Sequence, residues 1–454
     1  MSNKKEIVII GGGLVGPILS LFLAKRNYSS TIIESRNDIR LNEISNGRSI
    51  NLAITERGLH ALKQVGIKQS ILNEAIPLRG RLIHNTDGKT TFQKYGQKKN
   101  QVIYSISRSK LNKILLSSSE ETGKVKIFFN EQCLDADLIS GKIKHKSKLN
   151  GKISIRSASH IFATDGSKSI IRKKMTGMNG FEEKVEILEH GYKELIIPPT
   201  YDGDYRLDSN MLHIWPREKF MLIALPNFDG SFTCTLFLPK KGPISFLSLK
   251  SGQNFLKFFK NVFPDLIPVM KDFENQFINK PTGNLYTINC QPWNIKDKFL
   301  LLGDAAHTIA PFFGQGINAA FEDCTIFDSL LKKYDNEWEK VFSQLSQNRK
   351  PEMDAISEMA IENYYEMRNE TMDPKFLIKK EVEFILERNF PNQFIPRYSM
   401  VVFNRIPYTI CQKRSKIQEK ILKKLCANIK NVNQIDLNFA EILINKKLDK
   451  IRFI

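Results

Sequence analysis

The stretch that decides the fold reads Ile7-Val8-Ile9-Ile10-Gly11-Gly12-Gly13-Leu14-Val15-Gly16. A short β-branched run meets three consecutive glycines there, and residues 14–25 are apolar and favour a helix. A second strand is predicted at residues 31–33, which read Thr-Ile-Ile. The order of strand, glycine turn, helix and strand predicts an α/β unit at the start of the chain.

The spacing of the glycines indicates a dinucleotide-binding turn. Gly11 permits the tight turn, Gly13 lets the backbone approach a pyrophosphate, and Gly16 allows the helix to pack closely on the strand. The amino terminus of that helix then offers free N–H groups and a positive dipole end to phosphates. Glu34, at the end of the second strand, would accept hydrogen bonds from a ribose hydroxyl. The motif fits NAD and FAD equally, and a merely glycine-rich turn is the alternative.

Two further motifs can be interpreted together with this glycine motif. A buried strand is predicted at residues 300–302, followed by Gly303-Asp304, where the carboxylate would bind a ribitol or ribose hydroxyl. A helix predicted from about Asn318 would place its positive dipole end beside a flavin ring. His307 invites a catalytic interpretation, but a structural role beside Asp304 is favoured. The Asp-Gly pair within Ala163-Thr164-Asp165-Gly166-Ser167 is, on its own, only a turn.

The composition limits the other classes of function. The chain has 454 residues, 68 Lys+Arg and 48 Asp+Glu, for a net charge of +20. Such a charge is typical of proteins that bind nucleic acid or anionic membranes, but the lysines are scattered, which favours ordinary surface charge. Residues 412–454 carry a local excess, with 11 Lys/Arg and 4 Asp/Glu in an amphipathic pattern. The six cysteines are at least 15 residues apart, which argues against a zinc ribbon or a disulfide scaffold.

The rest of the chain predicts a sheet and then helices. Short runs between about 185 and 240 indicate an antiparallel sheet, and the pattern from residue 316 onward is mostly helical. We expect breaks in those helices near four prolines, namely Pro351, Pro391, Pro396 and Pro407. No signal-peptide pattern precedes the first strand, and no uncharged apolar run of 18 residues occurs, so we expect neither a secretory signal nor a transmembrane helix.

Taken together, the three motifs resemble the class A flavoprotein aromatic hydroxylases in order and spacing over the first 325 residues. The resemblance implies tightly bound FAD rather than NAD. It also implies NADPH as a transient co-substrate without a Rossmann domain of its own, which agrees with the single Gly-x-Gly-x-x-Gly.

A narrower resemblance, from residue 6 to about 405, is to the kynurenine 3-monooxygenase family. It rests on segments that a generic hydroxylase does not need: Gly47-Arg48-Ser49-Ile50-Asn51-Leu52-Ala53, Arg79-Gly80-Arg81-Leu82-Ile83-His84, Tyr95-Gly96, Ser105-Ile106-Ser107-Arg108, Phe232-Thr233-Cys234-Thr235-Leu236-Phe237, residues 311–322, Asn363-Tyr364-Tyr365-Glu366-Met367-Arg368, and Phe394-Ile395-Pro396-Arg397-Tyr398.

This second resemblance implies site residues, position by position. Arg81 would pair with the substrate carboxylate through its guanidinium fork, and Tyr95, Asn363 and Tyr398 would complete the polar end. The aromatic ring would lie among apolar residues, namely Leu212, Ile223, Leu225, Phe237, Pro311, Phe312 and Met367. The implied FAD contacts are Gly11, Gly13, Val15, Gly16, Glu34, Arg36, Ala53, Arg108, Leu134, Thr164, Asp165, Asp304, Gly316, Ile317 and Asn318.

The implied fold is a Rossmann-like FAD-binding domain of the aromatic hydroxylase type, with an antiparallel-sheet substrate domain and a C-terminal helical region. The predicted division is 1–180 for the first part of the FAD domain, 181–285 for the sheet insert, 286–325 for the return segment and 326–454 for the helices.

The implied reaction is hydroxylation of L-kynurenine to 3-hydroxykynurenine with NADPH and dioxygen, through a flavin hydroperoxide. The flavin carries the chemistry, so neither a catalytic side chain nor a metal is expected, and the pathway would be tryptophan degradation. Eukaryotic members carry a hydrophobic C-terminal anchor, whereas residues 399–454 here are polar and basic, as in the soluble bacterial form. We therefore expect a cytoplasmic enzyme, and leave open a homodimer and weak peripheral membrane contact.

Two alternatives remain at this stage. One is a related flavin hydroxylase that acts on another aromatic acid. The more distant one is a basic protein that binds nucleic acid or membranes and retains a vestigial nucleotide fold. The main interpretation expects no nucleic-acid partner.

Overall fold

The structure is a computed structural model that describes residues 6–41, 51–249, 252–370 and 373–451. Of the segments behind the narrower resemblance, the part from Gly47 to Ile50 lies outside these ranges. The chain folds into two compact units, each built from three segments. Unit 1 comprises Met1–Ala75, Ile106–Ile187 and Tyr286–Ser357, and unit 2 comprises Ile76–Ser105, Leu188–Leu285 and Glu358–Ile454.

The strands are, in chain order, β1 (Ile7–Ile10), β2 (Ser30–Ile33), β3 (Asn51–Ile54), β4 (Ile76–Leu78), β5 (Gly80–His84), β6 (Thr90–Lys94), β7 (Ile103–Ser107), β8 (Val125–Phe128), β9 (Glu131–Asp137), β10 (Lys142–Ser147), β11 (Ile153–Ser157), β12 (His160–Ala163), β13 (Glu182–Ile197), β14 (Met211–Arg217), β15 (Phe220–Pro226), β16 (Phe232–Pro239), β17 (Gly283–Gln291), β18 (Asn294–Ile295), β19 (Phe299–Leu301) and β20 (His307–Thr308).

The α-helices are α1 (Val15–Lys25), α2 (Glu56–Gln64), α3 (Lys68–Leu72), α4 (Arg108–Glu121), α5 (Ile170–Met175), α6 (Gly252–Val262), α7 (Phe273–Asn279), α8 (Gly316–Lys333), α9 (Trp338–Tyr365), α10 (Pro374–Asn389), α11 (Arg397–Val402), α12 (Tyr408–Leu425) and α13 (Leu437–Lys447). A π-helical turn, Glu366–Glu370, follows α9 directly.

Unit 1 contains the sheet that the opening motif predicts. Its strand order is β18-β19-β12-β1-β2-β8, and all neighbours are parallel except the short β18. All four residues of β1, of β2 and of β12 are buried, as expected for parallel strands covered on both faces. Helix α1 begins at Val15 and packs against α4 and α8, so the predicted strand, turn and helix are confirmed.

Unit 2 is built around a second sheet in the order β13-β16-β15-β14-β5-β6, in which β14 and β5 are parallel and the other neighbours antiparallel. The predicted antiparallel sheet is therefore present. Strands β5 and β6 come from residues 80–94, which the sequence pattern assigned to the FAD domain, because β5 joins through a long-range parallel pairing that leaves no local signal. The four-segment division itself stays a prediction.

Alternation along these strands gives the sheet of unit 2 two different faces. The back face carries a hydrophobic cluster that helices α6 and α7 complete, with members such as Trp215, Leu222, Leu236, Phe255 and Phe277. The front face carries Arg81, which pairs in register with Leu212 of β14.

The C-terminal segment of unit 2 is helical, as predicted. Helices α10, α12 and α13 share a core that includes Leu386, Ile421 and Ile444. Among the described residues, no helix is both long enough and apolar enough to cross a membrane.

The expected break at Pro351 is wrong, because α9 runs through this residue. A proline inside a helix removes one hydrogen bond and crowds the carbonyl four residues earlier. Both Pro351 and Gln347, whose carbonyl is the one affected, are exposed, so water can solvate the freed oxygen. The buried residues Met353 and Ile356 hold the helix against its unit.

A polar chain crosses the back face of the sheet in unit 2. His84 Nδ1 lies 2.6 Å from Asp265 Oδ2, and His84 Nε2 lies 2.9 Å from His213 Nδ1. His213 Nε2 donates to the carbonyl of Asp208, so its Nδ1 is an acceptor, and His84 must donate to it. Trp215 Nε1 donates to the same carboxylate oxygen at 2.8 Å. The pattern is satisfied when His84 donates from Nδ1 to ionised Asp265 and from Nε2 to His213.

This ion pair stabilises the joint between β5 and the turn after α6. Burial would raise the pKa of Asp265, but hydrogen bonds from His84 and Trp215 and the charge of His84 outweigh it, so the pKa is lowered. Burial, the largest of its causes, lowers the pKa of His213 to about 4, which keeps that ring neutral.

We expect Asp265→Asn to lower the free energy of unfolding at pH 7 by about 1.5–3 kcal/mol, since a charge-assisted hydrogen bond is lost. The pKa of Asp265 is depressed in the folded state, so the stabilisation is present above the unfolded pKa of about 4 and is lost as the pH falls further. Urea unfolding followed by tryptophan fluorescence at pH 7 and pH 3.5 measures both. Asp202→Asn, at an exposed position of the same unit, is the control; an equal deficit at the two pH values would contradict the ion pair.

Candidate active site

The glycine turn of unit 1 has the geometry that its spacing predicts. Gly11 has φ +103° and donates from its N–H to the carbonyl of Ile33 at 2.8 Å. A Cβ atom on Gly16 would lie 2.1 Å from the carbonyl oxygen of Gly11, so no side chain fits there. No atom of the described residues lies within 4 Å of the place where a Cβ atom on Gly13 would be, so a ligand can approach the backbone there.

Glu34 closes this turn from the end of β2. Its carboxylate accepts a hydrogen bond from the N–H of Gly12 at 2.7 Å and bonds to the backbone and guanidinium of Arg36. Burial would raise the pKa of Glu34, but these bonds and the charge of Arg36 outweigh it and lower the pKa. The carboxylate is therefore ionised and can accept from a ribose hydroxyl.

A cavity of about 340 Å³ opens beside Glu34. Its lining includes both polar and apolar side chains, which suits the adenosine end of a dinucleotide. The lining residues are Gly12, Glu34, Ser35, Arg36, Asn37, Ile39, Asn112, Leu116, Phe129, Asn130 and Lys148.

Asn112 is a site residue that sequence reasoning missed. Its side-chain amide donates to the carbonyls of Gly12 and Gly13 at 3.1 and 2.8 Å, which holds the turn in its open shape. Asn112 lies in α4, about 100 residues from the turn, and no motif marks it. Only the packing of α4 against α1 brings the two together.

The Asp-Gly motif lies at the end of β12, next to the glycine turn. Thr164 donates from Oγ1 to the carbonyls of Ile10 and Gly11, at 3.0 and 2.9 Å. Asp165 Oδ2 accepts from the N–H of Ile170 at 2.8 Å, whereas its buried Oδ1 accepts from no group among the described residues. Burial raises the pKa of Asp165. A buried oxygen that can accept a hydrogen bond fits a hydroxyl group of a cofactor.

Arg172 joins the second and third motifs, a role that sequence reasoning also missed. Its guanidinium donates to the carbonyl of Ser167 at 2.5 Å and to that of Ala305 at 2.9 Å. Glu183 pairs with its Nε at 2.6 Å. The Asp-Gly turn and the Gly303-Asp304 turn are thereby held side by side.

The side chain of Asp304 is exposed to solvent. Desolvation in these surroundings raises its pKa, against the charges of Arg108, His307 and Arg172. Its exposed carboxylate is placed to accept hydrogen bonds from a polyhydroxyl chain such as ribitol.

The amino terminus of α8 begins at Gly316, and its first N–H groups have no intrahelical partner. Within the part of the chain that the structure describes, no atom lies within 4 Å of a Cβ position on Gly316, which leaves room for a ring beside the helix start. The side chain of Asn318, by contrast, is used within the fold. It donates to the carbonyls of Ala53 and Gly314, both at 2.8 Å, and accepts from the N–H of Thr55 at 2.9 Å. Only its backbone is available to a cofactor.

The other predicted cofactor residues also lie in unit 1, and none of them is fully buried, so each can face a bound group. They are Val15, Ala53, Arg108, Leu134 and Ile317.

A buried ionic network lies behind these turns. Asp323 accepts from His307 Nε2 at 2.6 Å and from Arg349 Nε at 2.8 Å, and Arg349 also pairs with Glu322. Burial would raise the pKa of Asp323, but the charges of His307 and Arg349 outweigh it and lower the pKa. His307 is therefore held by α8 through Asp323, which agrees with the structural interpretation of this residue.

Unit 2 contains the polar cluster that the narrower resemblance implies. Arg81 is 8% exposed, and its guanidinium carbon lies 5.6 Å from the ring centroid of Tyr95 and 4.9 Å from that of Tyr398. The two tyrosine rings are stacked, with centroids 5.2 Å apart and planes 7° from parallel. Arg81 Nε and Tyr95 Oη are buried and have no hydrogen-bond partner among the described residues. Such an arrangement fits a bound anion.

Both tyrosines remain neutral donors. Burial, as the largest cause, raises the pKa of Tyr95 well above its usual value, and the pKa of Tyr398 is raised for the same reason. Desolvation would lower the pKa of Arg81, but Tyr398, Tyr95 and Glu366 raise it, so the guanidinium stays charged.

Glu366, which was not predicted as a site residue, lies at the start of the π-helical turn. It pairs with Arg397 at 2.9 Å and with Lys380 at 3.5 Å. Burial would raise the pKa of Glu366, but the charges of Lys380, Arg397 and Arg81 lower it to about 2. Asn363 and Met367 are buried one turn apart beside it, with the amide 3.3 Å from the thioether sulfur.

Four of the predicted apolar residues share the front face of the sheet with Arg81. Leu212 pairs in register with Arg81, and the pairings of β14, β15 and β16 place the others on the same side, namely Ile223, Leu225 and Phe237. Ile223 and Leu225 are half-buried, so part of their surface is accessible. Pro311 and Phe312 belong to unit 1, and their approach to the substrate stays a prediction. Among the described residues, no cluster of three His, Cys, Asp or Glu could hold a metal ion.

We expect Gly13→Ala to weaken FAD binding about tenfold or more, because the added methyl would occupy space that the cofactor needs. The thermal midpoint of the apoprotein should not change, since no atom of the described residues lies within 4 Å of that methyl. Fluorescence titration of apoprotein with FAD measures the affinity. Gly177→Ala, at another position of unit 1 without a close neighbour, is the control; wild-type affinity in the Gly13 variant would contradict the placement.

Known proteins are similar to this chain in both sequence and structure. A protein-family model described as FAD binding domain matches residues 4–225 and 269–351. Among solved structures, p-nitrophenol 4-monooxygenase from Pseudomonas putida superimposes with a TM-score of 0.67 and 14% identity, covering 92% of this chain and 98% of that one. 2-Methyl-3-hydroxypyridine-5-carboxylic acid oxygenase gives 0.65 and 17%, covering 85% and 98%. These two structures show the fold, which is that of FAD-dependent aromatic hydroxylases.

Two curated relatives are similar over nearly their whole length. The kynurenine 3-monooxygenase of Myxococcus xanthus is 43% identical over 447 residues, covering 98% of this chain and 96% of that protein. The kynurenine 3-monooxygenase of Dictyostelium discoideum is 41% identical over 461 residues, covering 98% and 99%. The chain is thus an FAD-binding flavoprotein monooxygenase, and it belongs to the kynurenine 3-monooxygenase family.

Proposed function

We propose that this protein hydroxylates L-kynurenine to 3-hydroxykynurenine, with FAD as its bound cofactor and NADPH and dioxygen as co-substrates. The observation that carries the substrate assignment is the buried guanidinium of Arg81, which lies against two stacked tyrosines and keeps one N–H without a partner among the described residues. Relatives at 41–43% identity that bear the name kynurenine 3-monooxygenase support the same reaction.

The polar end of kynurenine is an amino acid group, and Arg81 would bind its carboxylate bidentately. Tyr95 Oη has no hydrogen-bond partner among the described residues and could donate to the same anion, and the ring of Tyr398, stacked on that of Tyr95, lies 4.9 Å from the guanidinium carbon. The raised pKa of each tyrosine keeps its proton in place at neutral pH. Asn363 would add an amide from the end of α9.

The aromatic end would lie on the front face of the sheet in unit 2. Leu212, Ile223 and Leu225 offer it an apolar surface and exclude water. When bound, FAD supplies the redox chemistry, taking a hydride from NADPH and activating dioxygen. The aniline nitrogen of kynurenine already directs electron density to the ring carbon beside it. The protein therefore needs to orient the ring and keep it dry, and it needs no strong base.

Unit 1 would hold FAD through residues whose geometry fits its parts. The open turn at Gly13 would take the pyrophosphate, and Glu34 a ribose hydroxyl. Asp304 would take the ribitol chain, and the start of α8 would place its positive dipole end beside the ring.

Kynurenine is favoured over another aromatic acid by the names of the relatives, and the distant nucleic-acid or membrane alternative gains no support from the site. Steady-state turnover with kynurenine and with 4-hydroxybenzoate would distinguish kynurenine from another aromatic acid as the substrate. We further propose a cytoplasmic location; Met400, Val401 and Val402, which form the apolar run of the basic C-terminal region, are buried within unit 2. Two further hypotheses can be tested directly. Light scattering would show whether the protein is a homodimer, and cosedimentation would show whether it binds weakly to anionic vesicles.

We expect Arg81→Ala to weaken kynurenine binding by roughly 2–5 kcal/mol, because the buried carboxylate would lose its charged partner. FAD content and the thermal midpoint should stay near wild type. Equilibrium binding, followed by the visible spectrum of the flavin, measures the affinity. Arg79→Ala removes an exposed arginine just before the same strand and serves as the control; unchanged kynurenine affinity in the Arg81 variant would refute the assignment.

A further inference from the structure

Three charged residues of unit 2 each stand directly before a residue that is predicted to contact the substrate. The three pairs of neighbours in the chain are Glu362-Asn363, Glu366-Met367 and Arg397-Tyr398. The charged members also bind one another, because Arg397 donates from Nη1 to Glu362 Oε2 at 2.7 Å and from Nη2 to Glu366 Oε2 at 2.9 Å. We call Arg397, Glu362 and Glu366 the arginine clamp.

The arginine clamp joins two helical segments. Glu362 lies in the last turn of α9, and Glu366 opens the π-helical turn that continues this helix. Side chains four residues apart share one face of a helix, so the two carboxylates point the same way. Arg397 is the first residue of α11. Because one planar guanidinium reaches both carboxylates, its fork sets the position of α11 along α9.

Glu366 is the stronger of the two acceptors in the clamp. Its side chain is 15% exposed, whereas that of Glu362 is 47% exposed. Burial would raise the pKa of Glu366, but the charges of Lys380, Arg397 and Arg81 lower it to about 2, so the carboxylate is ionised at neutral pH. A partly buried ion pair is screened less than an exposed one, so the bond to Glu366 contributes more to the clamp.

Tyr398 connects the clamp to the substrate site. Its ring is stacked on that of Tyr95, with centroids 5.2 Å apart, and lies 4.9 Å from the guanidinium carbon of Arg81. Both contacts depend on the distance and angle of the ring, so a shift of α11 by about 1 Å would weaken them. The buried residues Met400 and Val401 also hold α11 in unit 2, but apolar contacts have no preferred direction. The directional bonds of Arg397 therefore orient the start of α11.

We propose that Arg397 is a positioning residue for the substrate: its bonds to Glu362 and Glu366 hold Tyr398 at the end of the site that binds the kynurenine carboxylate. This inference rests on the proposed function, since it concerns the substrate site of that reaction. Arg397 makes no contact with kynurenine in this assignment. Its effect on affinity passes through the ring of Tyr398.

The test compares three variants of the FAD-loaded full chain, namely Arg397→Lys, Arg397→Gln and, as a control, Arg405→Gln at an exposed position of unit 2. Lysine keeps the positive charge but lacks the fork that bridges two carboxylates, so a loss in Arg397→Lys reports geometry and not charge. We expect the Kd for kynurenine, followed by the flavin spectrum, to rise about fivefold in Arg397→Lys and about tenfold in Arg397→Gln. FAD content should match wild type, and Arg405→Gln should change neither quantity.

A second background separates positioning from a general loss of structure. When Tyr398→Ala has removed the ring, Arg397→Lys should raise the Kd for kynurenine by less than about twofold, because the clamp has no ring left to hold. An undiminished effect in that background overturns the route through Tyr398. An unchanged Kd in both Arg397 variants overturns the proposal, and so does a loss of FAD from both, which would assign Arg397 to the fold as a whole.

Fluorine NMR tests the position of Tyr398 without substrate. The chain has 12 tyrosines, and Tyr398→Phe identifies the resonance of Tyr398 in protein labelled with 3-fluorotyrosine. We expect this resonance to move or broaden in Arg397→Lys and to stay in place in Arg405→Gln. An unchanged resonance in Arg397→Lys overturns the proposal, whatever the kynurenine affinity. A wild type that binds no kynurenine refutes the proposed function, and the fluorine resonance then still decides whether the clamp positions Tyr398.

Discussion

The approach of helix α1 to the carbonyl oxygen of Gly11 sets the geometry of the FAD-binding unit. A side chain at Gly16 would come within 2.1 Å of that oxygen, and one at Gly11 within 2.6 Å of the Thr164 carbonyl. Because both positions are glycine, β1, α1 and β12 pack at backbone contact, and the Asp-Gly motif is brought beside the glycine turn. Gly13, by contrast, has open space above it. Two glycines therefore serve the packing, and the third leaves the space in which we propose that the cofactor binds; the motif alone does not draw this distinction.

Buried charge is paired differently in the two units, and the difference supports the ligand site proposed in unit 2. In unit 1, Asp323 is paired with His307 and Arg349, so the network is satisfied within the protein and stabilises the turns around Asp304. In unit 2, Arg81 and Tyr95 each keep a buried polar atom without a partner among the described residues. A buried donor without a partner costs free energy, so such a site favours a ligand that supplies the acceptor. A carboxylate is the acceptor that a guanidinium fork accommodates best.

Much of the site was predictable from the sequence where its residues are close in the chain. The turn around Gly11 to Gly16 and the pair Gly303-Asp304 are local patterns with a physical requirement at each position. Asn112, Arg172 and Glu366 were missed because each acts on residues that are remote in sequence or follows no spaced pattern. The helix through Pro351 was mispredicted for a related reason, since burial of Met353 and Ile356 outweighs one lost hydrogen bond. Asn318 was expected to face the cofactor, but its side-chain amide donates hydrogen bonds to the carbonyls of Ala53 and Gly314.

The sequence by itself determined the class of fold, the dinucleotide turn and the family, because periodicity, glycine spacing and motif order are local properties of the chain. The tertiary structure alone decided which side chains share a surface. Strand β5 pairs with β14, more than 100 residues away, and this register places Arg81, Leu212 and Leu225 on one face while it sends His84 to the other. Long-range pairing of strands is set by the packing of whole elements, and no short stretch of sequence encodes it.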